Sequence, residues 1–171
     1  VCSFEGACRR AVEGALEMEG LGIALMSDGL MNRSLSGKNR KNINSGNLAL
    51  VSPFYPEARP NTEKLAEIYK LLYCMSEAAL IVSVVPDTGI AFDSAIESLD
   101  NGLIPIWTRH EHAGNPANCK LLSKGAKVIP EEITELDLKS LLIHGSNPIP
   151  EGRIHQDCHT NKKPEEDYFF E

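Results

Sequence analysis

The amino-acid sequence predicts an α/β fold, with a doubly wound, mainly parallel sheet and helices on both faces. Three observations carry this expectation. Five short β-type runs stand out: 22–26 (GIALM), 48–52 (LALVS), 80–85 (LIVSVV), 104–108 (IPIWT) and 127–129 (KVI). The first four are apolar with little alternation, as strands buried on both sides of a parallel sheet should be. Segments of helical period lie between them, and strand–helix alternation over a whole chain is the signature of an α/β layer.

The elements follow in order. Phe4, Ala7, Cys8, Ala11, Val12, Ala15 and Leu16 trace an apolar stripe at i, i+3/i+4 spacing that stops at Gly20. The first element is thus a helix rather than a strand, which fits an incomplete sheet. GIALM and LALVS supply the first two strands. Leu65, Ile68, Leu71, Leu72 and Met75 trace a second helix, opened by Asn61 or Thr62 as cap with an acid just after it. After LIVSVV, Ala91, Ala95, Ile96 and Leu99 trace a third helix, from Gly89 to a stop at Asn101-Gly102. IPIWT, a helix over 115–124, the run KVI and a helix over 131–143 complete the body. The four apolar runs are expected to be neighbouring parallel strands of one sheet.

A chain of 171 residues fits one domain. With 42% apolar and 24% charged residues it has the composition of a folded domain rather than a disordered chain. No apolar run approaches the ~20 residues of a membrane span, and no basic-then-apolar leader is visible. The first residue is Val, so a fragment lacking its N-terminal part is expected. The net charge of −7 is unevenly placed: residues 1–130 carry 13 basic and 14 acidic side chains, and residues 131–171 carry 4 and 10. The main body, 1–130, is thus near neutral; the domain is read as 1–144 and 145–171 as a polar, acidic C-terminal tail. That balance speaks against a strongly basic nucleic-acid binder but leaves room for a local patch. Five cysteines without paired spacing predict free thiols, no disulfide framework and a cytoplasmic setting. His155, Cys158 and His159 form H-x-x-C-H, but a second ligand pair could come only from His110 and His112, so a polar tail rather than a metal site is expected.

Right-handed crossovers gather the loops after the strands on one edge, where ligands of such folds bind. Pro86-Asp87-Thr88-Gly89 follows the most apolar strand and opens a helix. Gly89 lets the backbone approach a ligand, the helix N-terminus offers N–H groups to a phosphate, and Thr88 adds a hydroxyl. A plain strand–helix turn explains the same spacing. Ser52-Pro53-Phe54-Tyr55-Pro56 follows the second strand: Ser52 is a candidate phosphate contact and Phe54 or Tyr55 a stacking surface, against a Pro-stiffened loop packed on itself. Residues 33–41 hold Arg33, Lys38, Arg40 and Lys41 with no acid, either a phosphate-tracking patch or a solvated helix face. Lys70 lies between apolar neighbours in its helix, and Asp93 and Glu97 follow Gly89 with no nucleophile placed beside them. From the residues alone this is an α/β phosphate-binding domain of unstated purpose.

With these residues in view, the chain resembles the DNA-processing protein A (DprA/Smf) family, in a divergent branch. The stretches that carry the resemblance are AVEGALEMEGLGIALMSDGLMN (11–32), GNLALVSPFYPEARPNTEKLAEIYKLLYCMSEAALIVSVV (46–85), TGIAFDSAIESLDNGLIPIWTR (88–109) and NCKLLSKGAKVIP (118–130). The resemblance implies a Rossmann-like domain over 1–144 that binds single-stranded DNA without catalysis and needs no cofactor. It also implies a role in recombination during natural transformation, with a RecA-type recombinase as partner, and a homodimer that does not engage a membrane. Carried over by position, Ser52 and Tyr55 fall in the family's binding loop and Lys70 on the last cation of its R-N-R/K motif. Thr88 and Gly89 fall in its small-residue turn, and Lys120 and Lys124 in its N-[RK]-L-[LI]-x-[RK]-G-A segment. Ile68 and Tyr69 stand where the motif has Arg and Asn, and the Gly-Gly-x-Arg-Gly loop would precede residue 1. The competing expectations are a nucleotide-binding or nucleotide-hydrolysing domain of the phosphoribohydrolase kind, using Pro86–Gly89 with Glu97, and a purely structural or protein-interaction role.

Overall fold

The computed structural model describes residues 1, 6–31, 37–84, 89–109, 115–130 and 138–145. Helices and strands alternate along these segments, and every strand pairing is parallel, consistent with a Rossmann-like α/β fold. The chain divides into two units, Val1–Glu77 and Ala78–Glu171.

In the first unit α1 (Gly6–Glu17) leads into β1 (Gly22–Leu25), and α2 (Gly37–Asn44) into β2 (Leu48–Val51); α3 (Thr62–Met75) closes the unit. β1 and β2 run parallel in the register Gly22↔Leu48 to Leu25↔Val51. Glycine at position 22 leaves room for the Val12 and Leu48 side chains, each 3.4 Å from where a Cβ would stand. α1 thereby covers that face of β1. Leu25, of opposite parity, packs with Ile68 of α3, and Cys8 of α1 gathers around this pair together with Phe54, Tyr69, Leu71 and Leu72. α3 begins where an Asn cap predicts, since Asn61 Oδ1 accepts the Lys64 N–H at 2.8 Å. α2 resolves part of the basic run into a short helix, ended by Gly46 at φ 77°, in the left-handed region that favours glycine.

The second unit orders its strands β3–β4–β5: β3 (Ala79–Ile81), β4 (Ile106–Thr108) and β5 (Lys127–Val128). α4 (Ile90–Asp100) and α5 (Pro116–Ser123) connect them, and α6 (Leu138–His144) follows. All three residues of β4 are buried, as a central strand requires, and Trp107 and Ile106 are among the largest buried side chains. The Trp107 indole donates from Nε1 to the Leu142 carbonyl of α6 at 2.9 Å, with the Lys127 ammonium 5.2 Å over its ring.

Two expectations need correcting. The four apolar runs do not form one sheet: among the described residues β1 and β2 make a two-stranded sheet, and β3, β4 and β5 a three-stranded one. Apolar composition marks a strand as buried without naming its neighbour. The third and fourth runs are also shorter than read: the ladder starts where Ala79 pairs with Ile106, so the fourth begins later, and it ends where Ile81 pairs with Thr108, so the third ends earlier. Of the helix expected over 131–143, Leu138–His144 is seen, and 131–137 lies outside the described residues.

Candidate nucleic-acid interface

In the first unit the loops after β1 and β2 are tied to each other. Met26 N–H donates to Val51 O at 2.8 Å, Gly29 N–H to Ala58 O at 2.8 Å and Met31 N–H to Pro56 O at 3.1 Å. A Cβ at Gly29 would run into the Pro56 carbonyl and the Ala58 nitrogen, so these two backbones meet only because residue 29 has no side chain. Ser52 closes the arrangement: its hydroxyl donates to Asp28 O at 3.0 Å and accepts the Phe54 N–H at 3.2 Å. The proton that a phosphate contact would use is therefore spent on joining the two loops.

That framework separates the two aromatics. Phe54 turns inward to the Leu25–Ile68 pair, with Lys64 Nζ 5.5 Å over its ring and 2.8 Å from the Arg59 carbonyl. Tyr55 begins a turn, its carbonyl accepting the Ala58 N–H at 2.9 Å, with Pro56 in the second position that such turns favour. Its side chain is 83% exposed. Of the two stacking candidates, then, only Tyr55 presents a ring to solvent. Arg59 is exposed four residues on, and Arg40 and Lys41 are exposed on α2. Arg33 and the Lys38 side chain lie outside the described residues. Lys70 is exposed on α3, two positions from Ile68 and so on the opposite side of the helix from the core.

In the second unit Gly89 caps α4, its carbonyl accepting from Phe92 at 2.8 Å and Asp93 at 3.0 Å, with no side-chain cap bond. Pro86, Asp87 and Thr88 lie outside the described residues. Lys120 holds its ammonium 5.3 Å over the buried Phe92 ring. Lys124 pairs with Asp100 at 3.2 Å, so its charge is locally balanced. Glu97 and Asp93 are exposed on α4.

Sequence reasoning passed over two asparagines that hold this unit's loop ends together. Asn115 caps α5 through Oδ1, which accepts the Ala117 N–H at 2.9 Å, while Nδ2 donates to Val84 O at 2.9 Å and Ser83 Oγ at 3.1 Å. Asn118 donates from Nδ2 to Val82 O at 3.2 Å and Arg109 O at 3.3 Å. Asn118 collects carbonyls from just past β3 and just past β4, and Asn115 collects one from the segment after β3. The Asn-Pro-x-Asn spacing at a helix start was the available signal.

Among the described residues no group of three or more His, Cys, Asp or Glu is placed to hold a metal, and the H-x-x-C-H segment lies outside them. Cys74 carries an exposed free thiol, but Cys119 is disulfide-bonded, its partner outside the described residues. The expectation of no disulfide is thus corrected there; cysteine spacing along a chain does not report which thiols the fold brings together. No described helix is long and apolar enough to cross a membrane. No family model matches the sequence, and neither a curated protein nor a solved structure matches it.

Proposed function

We propose that the chain binds single-stranded DNA along the tied loops of the first unit, as a DNA-processing (DprA/Smf)-type protein of recombination and DNA uptake. In this reading it acts in the cytoplasm without catalysis, as a homodimer with a RecA-type recombinase as partner. The observation that carries the reading is Tyr55, an exposed ring on a loop stiffened by Ser52, Gly29 and Pro56. An aromatic face held out from a rigid loop is a platform on which any base can stack. Arg59, Arg40, Lys41 and Lys70, exposed in the same unit, supply the charge that a phosphate backbone requires.

Fluorescence anisotropy with a labelled single-stranded oligonucleotide tests this. With about four phosphates neutralised, log K against log salt slopes at about −3, at ~0.7 per contact for single strands. Lys70→Ala reduces that slope by a little under one unit and leaves base preference unchanged. Tyr55→Ala weakens binding by about 1–3 kcal/mol with the slope nearly intact. Absence of single-strand binding at low salt refutes the proposal, and so does a Tyr55→Ala chain that binds as tightly as the parent.

A further inference from the structure

We propose that Asn101-Gly102, at the end of α4, is a self-modification site, held unreactive by the helix cap and converted to an acid when that cap opens. The dipeptide occurs once in the chain, and both residues are exposed. Its two residues set the chemistry. With no side chain on Gly102 to hinder it, the Gly102 nitrogen can attack the Asn101 carboxamide carbon and close a succinimide ring. The N–Cγ bond forms, the Cγ–Nδ2 bond breaks, and the amide leaves as ammonia with the proton of the Gly102 N–H. Water then opens the ring at either carbonyl and leaves an aspartyl or isoaspartyl residue at position 101.

The folded chain withholds both partners of that reaction. Gly102, at φ 59°, ends α4 with the paired bonds of a glycine stop: its N–H donates to Leu99 O at 3.0 Å, and the Leu103 N–H to Ser98 O at 3.1 Å. The attacking nitrogen is thereby committed to the helix. The leaving amide is held as well, Asn101 Nδ2 donating to Glu97 O at 2.7 Å. The backbone torsion acts in the same direction. Ring closure needs the Gly102 nitrogen and the Asn101 Cβ on the same side of the Cα–C bond. At ψ −3° that nitrogen eclipses Asn101's own nitrogen, which a tetrahedral Cα sets a third of a turn away from Cβ.

The cap is also the part of α4 best placed to open. Asp100, Asn101, Gly102 and Leu103 are all exposed, and the ion pair of Lys124 with Asp100 lies about half in solvent. Terminal turns of this kind open locally, without global unfolding. Closing again is a different matter once the acid has formed. A carboxylate at position 101 cannot donate to Glu97 O, and it adds negative charge at a helix C-terminus, beside Asp100, where the helix dipole disfavours it. The isoaspartyl product also routes the main chain through Cβ, so the Gly102 and Leu103 bonds lose their spacing. The change is one-way, and the fraction converted records the time that the end of α4 has spent open.

Trypsin releases residues 71–109 as one peptide in which Asn101 carries the only side-chain amide, so mass spectrometry of that peptide reads the site alone. The full 171-residue chain is aged at neutral pH, in buffer and in denaturing guanidinium chloride. The expected result is conversion in both, slower in buffer by on the order of tenfold. Equal rates overturn the proposal, because the cap would then give no protection. Conversion that is complete in denaturant and absent in buffer overturns it too, because the cap would then never open. The one-way step is read on Asn101→Asp by amide exchange: the Leu103 amide exchanges faster than in the parent by on the order of tenfold. An unchanged Leu103 rate refutes that step.

Discussion

Replacing Trp107 by Phe removes about three heavy atoms from the middle of the second unit's sheet, and its consequences can be worked from the contacts. The lost carbon surface costs about 1.6 kcal/mol at ~0.8 kcal/mol per buried carbon group. The indole bond to Leu142 O, at 2.9 Å, is worth about 1 kcal/mol net. Lys127 keeps a ring beneath it, so the cation–π loss is a few tenths of a kcal/mol. The total is about 3 kcal/mol, which at roughly 2–4 °C per kcal/mol lowers the melting temperature by about 6–12 °C. The loss has a particular address. None of the residues of α6 is fully buried, and a seven-residue helix has little stability of its own. Its described polar ties to the sheet are the Trp107 bond to Leu142 O and the Lys127 bond to Gly145 O. Amide exchange in α6 should therefore accelerate before that of α5. Thermal unfolding by far-UV circular dichroism, together with exchange by NMR, measures both effects. A melting shift under about 2 °C with unchanged α6 exchange refutes the reasoning, because it would mean that the indole contributes neither packing nor anchorage.

Three further outcomes are expected. Ser52→Ala removes the bonds to Asp28 O and from the Phe54 N–H, costing about 1–2 kcal/mol in urea unfolding and speeding proteolysis of the Tyr55 loop. Gly29→Ala places a methyl against the Pro56 carbonyl and the Ala58 nitrogen, so it destabilises by about 1–3 kcal/mol and separates the two loops, which shows as faster exchange at the Met31 amide. Asn115→Ala loses the α5 cap and frees the Val84 carbonyl, lowering stability by about 2 kcal/mol in chemical denaturation, whereas Asn115→Asp restores the cap alone and recovers part of it.

Local structure was legible because it is local. The GIALM, LALVS and IPIWT runs, the Asn61 cap and the apolar stripes of α1 and α3 depend on residues within a few positions of one another, and spacing reports them directly. Parallel pairing was legible for a related reason: strands apolar on both faces, with helices between them, have few other ways to bury themselves. Which strands share a sheet was not legible. GIALM and LIVSVV look alike as sequence, yet β1 pairs with β2, and β3 with β4.

Spacing and composition were enough for an α/β chain of parallel strands, a loop carrying two adjacent aromatics, and a near-neutral body with one basic run. It took the packed chain to turn Phe54 inward and Tyr55 outward, since which of two adjacent rings is buried depends on where Leu25 and Ile68 stand. Packing decided also that the Ser52 hydroxyl binds a carbonyl 24 residues away, and that Asn118 and Trp107 reach partners 36 and 35 residues away. Side-chain type states which bonds a group can make. The fold chooses among them by which backbone it brings within hydrogen-bonding distance, because a buried polar group left without a partner costs more than the bond itself returns.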